Sequence, residues 1–242
     1  MMMYTKISVG LSEHLEWLIR HFRIQRTSLL LITLSGALFS VVIIVQSDPK
    51  DVRFLLLTFG EIVLPLFAGW VATGIFLADP CRELIMASKR PLWTLIFERM
   101  ELTFLSGTLS FGMLFFVTLM KNSETFANDS WKLFFGPSVS LLLFISIGTF
   151  FSMSIRQRTA AGLTISTLGM FALIFRQNIL AHYWGCLLYP FLTVYDLENS
   201  LWAANRILLS LFSLIAWGGI LVFSVWKNET LLPHKEEMEE VG

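Results

Sequence analysis

Glu61 is the residue on which chemistry inside a membrane would turn, because it puts the only ionisable group into the long charge-free runs of this sequence. A carboxylate there could line a substrate path or relay a proton. It lies within about two helical turns of the end of its run, so it could equally reach interfacial water or hydrogen-bond a neighbouring helix. Other chemistry needs partners that the sequence does not offer. His14, His21, His182 and His234 fit no metal-ligand spacing, and neither H-E-x-x-H nor G-x-S-x-G occurs. The stretch 107–112 has the wrong spacing for a nucleophile turn, which argues against a membrane protease or esterase. There is no G-x-x-x-x-G-K-[ST] loop, so ATP could drive this chain only through another polypeptide. Cys81 and Cys186 are far apart in sequence and read as packing residues.

The elements that would position these groups are membrane spans. Of 242 residues 55% are hydrophobic and 15% charged, against about 25% charged in a soluble domain. Runs of about twenty apolar residues are what a hydrocarbon core roughly 30 Å thick requires. Six are read, at 28–45, 54–77, 102–119, 133–154, 159–175 and 207–226, making one six-span domain over 28–226. Residues 1–27 carry Ile7, Leu11, Leu15, Leu18 and Phe22 on one helical face with Glu13, Glu16, Arg20 and Arg23 opposite. That amphipathic helix would lie in the headgroup plane or pack on a soluble partner. The first apolar run follows this leader without an A-x-A site, so it reads as a span and not a signal peptide.

Lys and Arg set the orientation. With both termini inside, twelve basic residues fall on the cytoplasmic side and six on the other, Arg206 among the six. The tail at 227–242, with Glu236, Glu237, Glu239 and Glu240, is expected to be solvated in the cytoplasm. A net charge of zero and the lack of an aromatic-plus-basic module speak against nucleic acid. Between spans five and six, 176–200 holds Arg176, His182, Tyr183, Trp184, Tyr189, Pro190 and Tyr195 among apolar residues. Its stretch from Ile179 to Leu188 is too short to span, which predicts an extracytoplasmic re-entrant hairpin at interfacial depth.

Residues 78–99 link spans two and three and read as two short helices broken at Pro91. Asp79 would cap the first, Pro80 suits its opening position, and Leu84, Ile85 and Ala87 give it an apolar side. In the order Glu83, Leu84, Ile85, Ala87, Pro91 and Arg99, this segment resembles the permease subunits of type-2 ATP-binding-cassette transporters. Those have a Glu, an aliphatic run, a small residue, then Pro and a basic residue entering span three. The leading helix, the six-span plan, Tyr189-Pro190-Phe191 in the hairpin and Asn205-Arg206 opening the last span extend the likeness along most of the chain. It departs from the family where Pro80-Cys81-Arg82-Glu83 replaces a frequent Gly-Thr, and it has no inserted extracytoplasmic domain.

The resemblance implies an all-α membrane protein with a cytoplasmic coupling helix-turn-helix. It implies a second permease copy or a related permease, making a homo- or heterodimer in the cell membrane. A separate ATPase subunit would hold ATP and Mg, with no cofactor or metal in this chain. Glu83, Arg90, Pro91 and Arg99 would then face the ATPase, and the substrate would be exported. Two other readings compete. An ion-coupled secondary transporter would show internal repeats and several intramembrane polar groups. A non-transporting scaffold or immunity protein would bind a toxin or partner helix. Small residues at Ser106, Ser110, Gly162, Ser166 and Gly169 serve helix packing under all three.

Overall fold

The structure, a computed structural model, describes residues 25–77, 91–121 and 130–226. Glu83, Arg90, Cys81, nearly all of the expected leading helix and the acidic tail lie outside the described residues. Every regular element among the described residues is helical. They are α1 (Gln25–Val45), α2 (Pro49–Ala72), α3 (Gly74–Leu77), α4 (Leu92–Lys121), α5 (Ser130–Ile155), α6 (Arg158–Ile174), α7 (Arg176–Leu180), α8 (Tyr183–Leu188), α9 (Leu192–Tyr195) and α10 (Trp202–Trp226). Helices α1, α2, α4, α5 and α10 are long and apolar enough to cross a membrane, which marks a multi-pass membrane protein. Helix α6 is apolar but has only 17 residues.

Three helix starts differ from the sequence-based expectation, each for a local reason. Helix α2 begins at Pro49 and not at 54, because the Asp48 side chain accepts from Lys50 N at 2.8 Å and proline suits the first helical position. Helix α10 begins at Trp202, five residues early. The Asn199 side chain accepts from Leu201 N at 2.8 Å, and the Trp202 amide donates to the Asn199 carbonyl at 3.0 Å. That turn brings Asn205 and Arg206 inside the helix. Helix α4 begins at Leu92, immediately after Pro91, and takes in Glu98, Arg99 and Glu101.

Helix α5 is the hub, packing on α2, α4, α6 and α10. Its crossing with α2 is close because both helices present glycine there. A Cβ on Gly148 would collide with the Gly69 carbonyl, and one on Gly69 would stand 2.9 Å from the Phe144 carbonyl. Without a hydrophobic force between helices in lipid, such backbone approach supplies much of the packing. Helix α1 is tied to α4 in the same way. Ser106 and Ser110 donate to the Leu29 and Ile32 carbonyls at 3.2 and 3.0 Å, and a Cβ on Gly36 would strike Ser110. Lys121 Nζ closes the far end of α1, donating to the Ile43 and Ile44 carbonyls at 2.8 Å each and to that of Gln46. Gly162 and Gly169 of α6 receive Trp70 and Leu66 of α2, whereas Ser166 is exposed.

Candidate functional site

Helix α2 is not a regular α-helix around Glu61: Thr58–Val63 winds as a π-helical stretch. Pro65 explains the irregularity, since it has no amide to bond the Glu61 carbonyl four residues back. Such π stretches are frequent at functional sites. They re-aim side chains, and here Glu61 is completely buried.

Its carboxylate meets three elements. Arg206 Nη2, from the first turns of α10, lies 2.8 Å from Glu61 Oε1, and Arg206 is itself 1% exposed. The Val194 amide of α9 donates to Glu61 Oε2 at 3.1 Å. Gly136 of α5 leaves the space, since a Cβ there would stand 2.9 Å from Glu61 Oε1 and press on Thr193. Larger residues are excluded by the contact itself.

The two terminal nitrogens of Arg206 also reach the α7–α9 connection and α5. Nη2 also donates to Thr193 Oγ1 at 2.9 Å, while Nη1 reaches the Gly136 carbonyl at 3.1 Å, Ser140 Oγ at 3.0 Å and the Pro190 carbonyl at 3.4 Å. Ser140 Oγ donates in turn to the Pro190 carbonyl at 2.6 Å, and Trp202 Nε1 donates to Thr193 Oγ1 at 3.1 Å. One residue earlier, Asn205 Nδ2 gathers the Cys186, Leu187 and Tyr189 carbonyls at 2.9, 2.9 and 3.0 Å. These carbonyls need such a partner because α8 ends at Leu188 and its last acceptors have no helical donor. A buried guanidinium with a planar fork suits this convergence better than an ammonium would.

On the other side of Thr193 and Val194 an open cavity of about 360 Å³ is lined by Lys50, Arg53, Asp196 and Glu198 as well as by those two residues. Two residues of α9 thus separate the Glu61–Arg206 pair from that cavity. Burial holds the Tyr189 phenol above its ordinary pKa range, with Tyr195 adding to the effect and Arg176 opposing it, so it stays a neutral packing group.

Of the residues singled out in the sequence, Glu61, Tyr189 and Pro190 come together here. Arg176 is exposed nearby, its guanidinium 4.6 Å from the Tyr195 ring centre. His182 is exposed and takes no side-chain part in the cluster. At the opposite end of α2, roughly 20 Å away along the helix, Arg99 is buried and its Nη1 donates to the Ile75 carbonyl of α3 at 2.6 Å. Ser152 Oγ holds the Thr73 carbonyl at 2.6 Å beside it. Pro91 is exposed at the start of α4, with the Thr94 amide on its carbonyl at 3.1 Å. Arg206, Thr193, Asn205 and Gly136 were not singled out as partners of Glu61. The signal available was that a charge in a span needs a counter-charge at matching depth, and Arg206 opens the last span.

Among the described residues no three His, Cys, Asp or Glu side chains gather as metal ligands would. No family model, curated protein or solved structure matches this chain.

Proposed function

We propose that this chain is the permease subunit of a type-2 ATP-binding-cassette exporter, with six spans, both termini in the cytoplasm, and ATP hydrolysed by a separate subunit. The observation that carries the proposal, beside the Glu83 to Arg99 sequence pattern, is the form of the connection between α6 and α10. It folds into three helices of five, six and four residues, none able to cross a bilayer, yet Tyr189, Phe191, Leu192 and Thr193 are buried. Main-chain groups at such depth need protein partners, and Asn205, Ser140, Arg206 and Glu61 provide them. A hairpin that enters and returns on one side leaves α6 as the fifth span, its shortness met by local thinning of the bilayer. The Glu61–Arg206 pair then pins the hairpin to spans two and six and does not carry protons. Arg99 ties the start of span three to the end of span two, bracketing the segment that would dock on the ATPase.

The test uses the outer cavity. In a chain with Cys81 and Cys186 replaced by Ser, Asp196→Cys is alkylated in native membrane vesicles with and without ATP. ATPase-driven rocking of the helices predicts an ATP-dependent labelling rate that vanishes with a non-hydrolysable analogue. The same rate in all conditions would overturn the proposal.

A further inference from the structure

The cavity of about 360 Å³ beyond Thr193 and Val194 has two walls of opposite charge. One is a single face of the first turns of α2, with Lys50, Arg53, Phe54 and Leu57 at helical spacing. The other is the end of α9 and the turn after it, with Asp196 and Glu198. The two walls do not pair with each other. Among the described residues neither Lys50 Nζ nor the Glu198 carboxylate has a partner, and Asp196 Oδ2 accepts from the neutral Asn199 amide at 2.8 Å, which leaves its charge uncompensated. Arg53 is already partnered, so Lys50 is the cation of its wall left to meet a ligand. Facing charges of this kind are complementary to an occupant that carries both signs.

Depth names the anion of that occupant. The apolar run of α2 begins at Phe54, and 54–77 covers roughly 36 Å at 1.5 Å per residue, enough for a hydrocarbon core of roughly 30 Å. Lys50 precedes that run and stands among the headgroups, where the anion at hand is the lipid phosphate. Phe54, at the boundary, is 53% exposed and gives an acyl chain an apolar way out of the cavity.

The facing wall names the cation. Carboxylates are acceptors only, which suits a primary ammonium with its three donors. A quaternary ammonium has no N–H and is held by aromatic faces. The Tyr195 ring that lines the cavity already carries the Arg176 guanidinium, 4.6 Å from its centre. We propose that this cavity binds the headgroup of a phosphatidylethanolamine, with its phosphate on Lys50 and its ammonium between Asp196 and Glu198. The volume falls within the usual range for small ligands, about 300–1,000 Å³. The site belongs to this chain alone, and its failure would leave the ATPase-driven reading standing.

The full chain in detergent is offered an equimolar mixture of phosphatidylethanolamine, phosphatidylcholine and phosphatidylglycerol with the same acyl chains, and bound lipid is counted by native mass spectrometry. Expected is one phosphatidylethanolamine, retained about ten-fold over either of the others. Asp196→Asn combined with Glu198→Gln removes its preference over phosphatidylcholine. Lys50→Gln weakens its retention about ten-fold, and Lys50→Arg keeps most of it. All three positions are exposed, so these substitutions leave the fold intact. Equal retention of the three lipids, or a preference that survives the double substitution, would overturn the inference. So would displacement of the bound lipid by an equal concentration of soluble glycerophosphoethanolamine, which would make a free zwitterion the occupant.

Discussion

Arg206 Nη2 and Glu61 Oε1 stand 2.8 Å apart, in two buried side chains that come from the second and the last of the long helices. A buried pair of this kind is weak evidence for net stability, but breaking it leaves a charge without a partner at a cost of about 3–5 kcal/mol. Glu61→Leu or Arg206→Met alone is expected to lower the thermal midpoint of the purified protein sharply. The two combined should cost clearly less than the sum of the single losses, because no lone charge remains, although the Val194 amide and the Gly136 carbonyl still lose a partner. A double-mutant cycle on thermal unfolding in detergent checks this, and additive losses would refute the coupling.

Glycine substitutions should sort by what the new Cβ meets. Gly136→Ala presses on Glu61 and Thr193, and Gly148→Ala strikes the Gly69 backbone, so each is expected to destabilise by about 1–3 kcal/mol. A Cβ on Gly112 or Gly218 would meet nothing within 4 Å among the described residues, and alanine there should be neutral or stabilise by up to about 1 kcal/mol through helix propensity. Thermal midpoints of the four variants give the order directly.

Asn205→Ala removes one amide from three carbonyls of the hairpin. Hydrogen exchange at 183–195 should accelerate by about ten-fold or more, while α2 and α5 exchange as before. Equal acceleration across the helices would mean that Asn205 supports the bundle and not the hairpin alone.

Much of this was legible in the sequence, and the rest was lost for specific reasons. The apolar runs locate the long helices because length and lack of charge suffice for that. Glu61 stands out for the same reason. Its partner does not, because the last charge-free run begins at Ile207 whereas the helix starts at Trp202 through the turn at Asn199. Arg206 therefore looks like one more loop cation. Tyr189 and Pro190 mark the hairpin by type, but the contribution of Thr193 depends on a fold-back that no local pattern encodes. Ser106, Ser110, Gly162 and Gly169 read as packing residues and do pack. Gly69 and Gly148, at the α2–α5 crossing, are indistinguishable by sequence from Gly112 and Gly218, where an added Cβ would meet open space among the described residues.

The central claim is that another polypeptide supplies the ATP site, and the composition of the native particle tests it most directly. The tagged chain is purified under mild conditions from its own membrane and its partners are identified by mass spectrometry, with the Glu83→Arg variant alongside. The account predicts a stoichiometric ATP-binding-cassette subunit with the wild type and its loss from Glu83→Arg. Repeated preparations without any ATPase would contradict it.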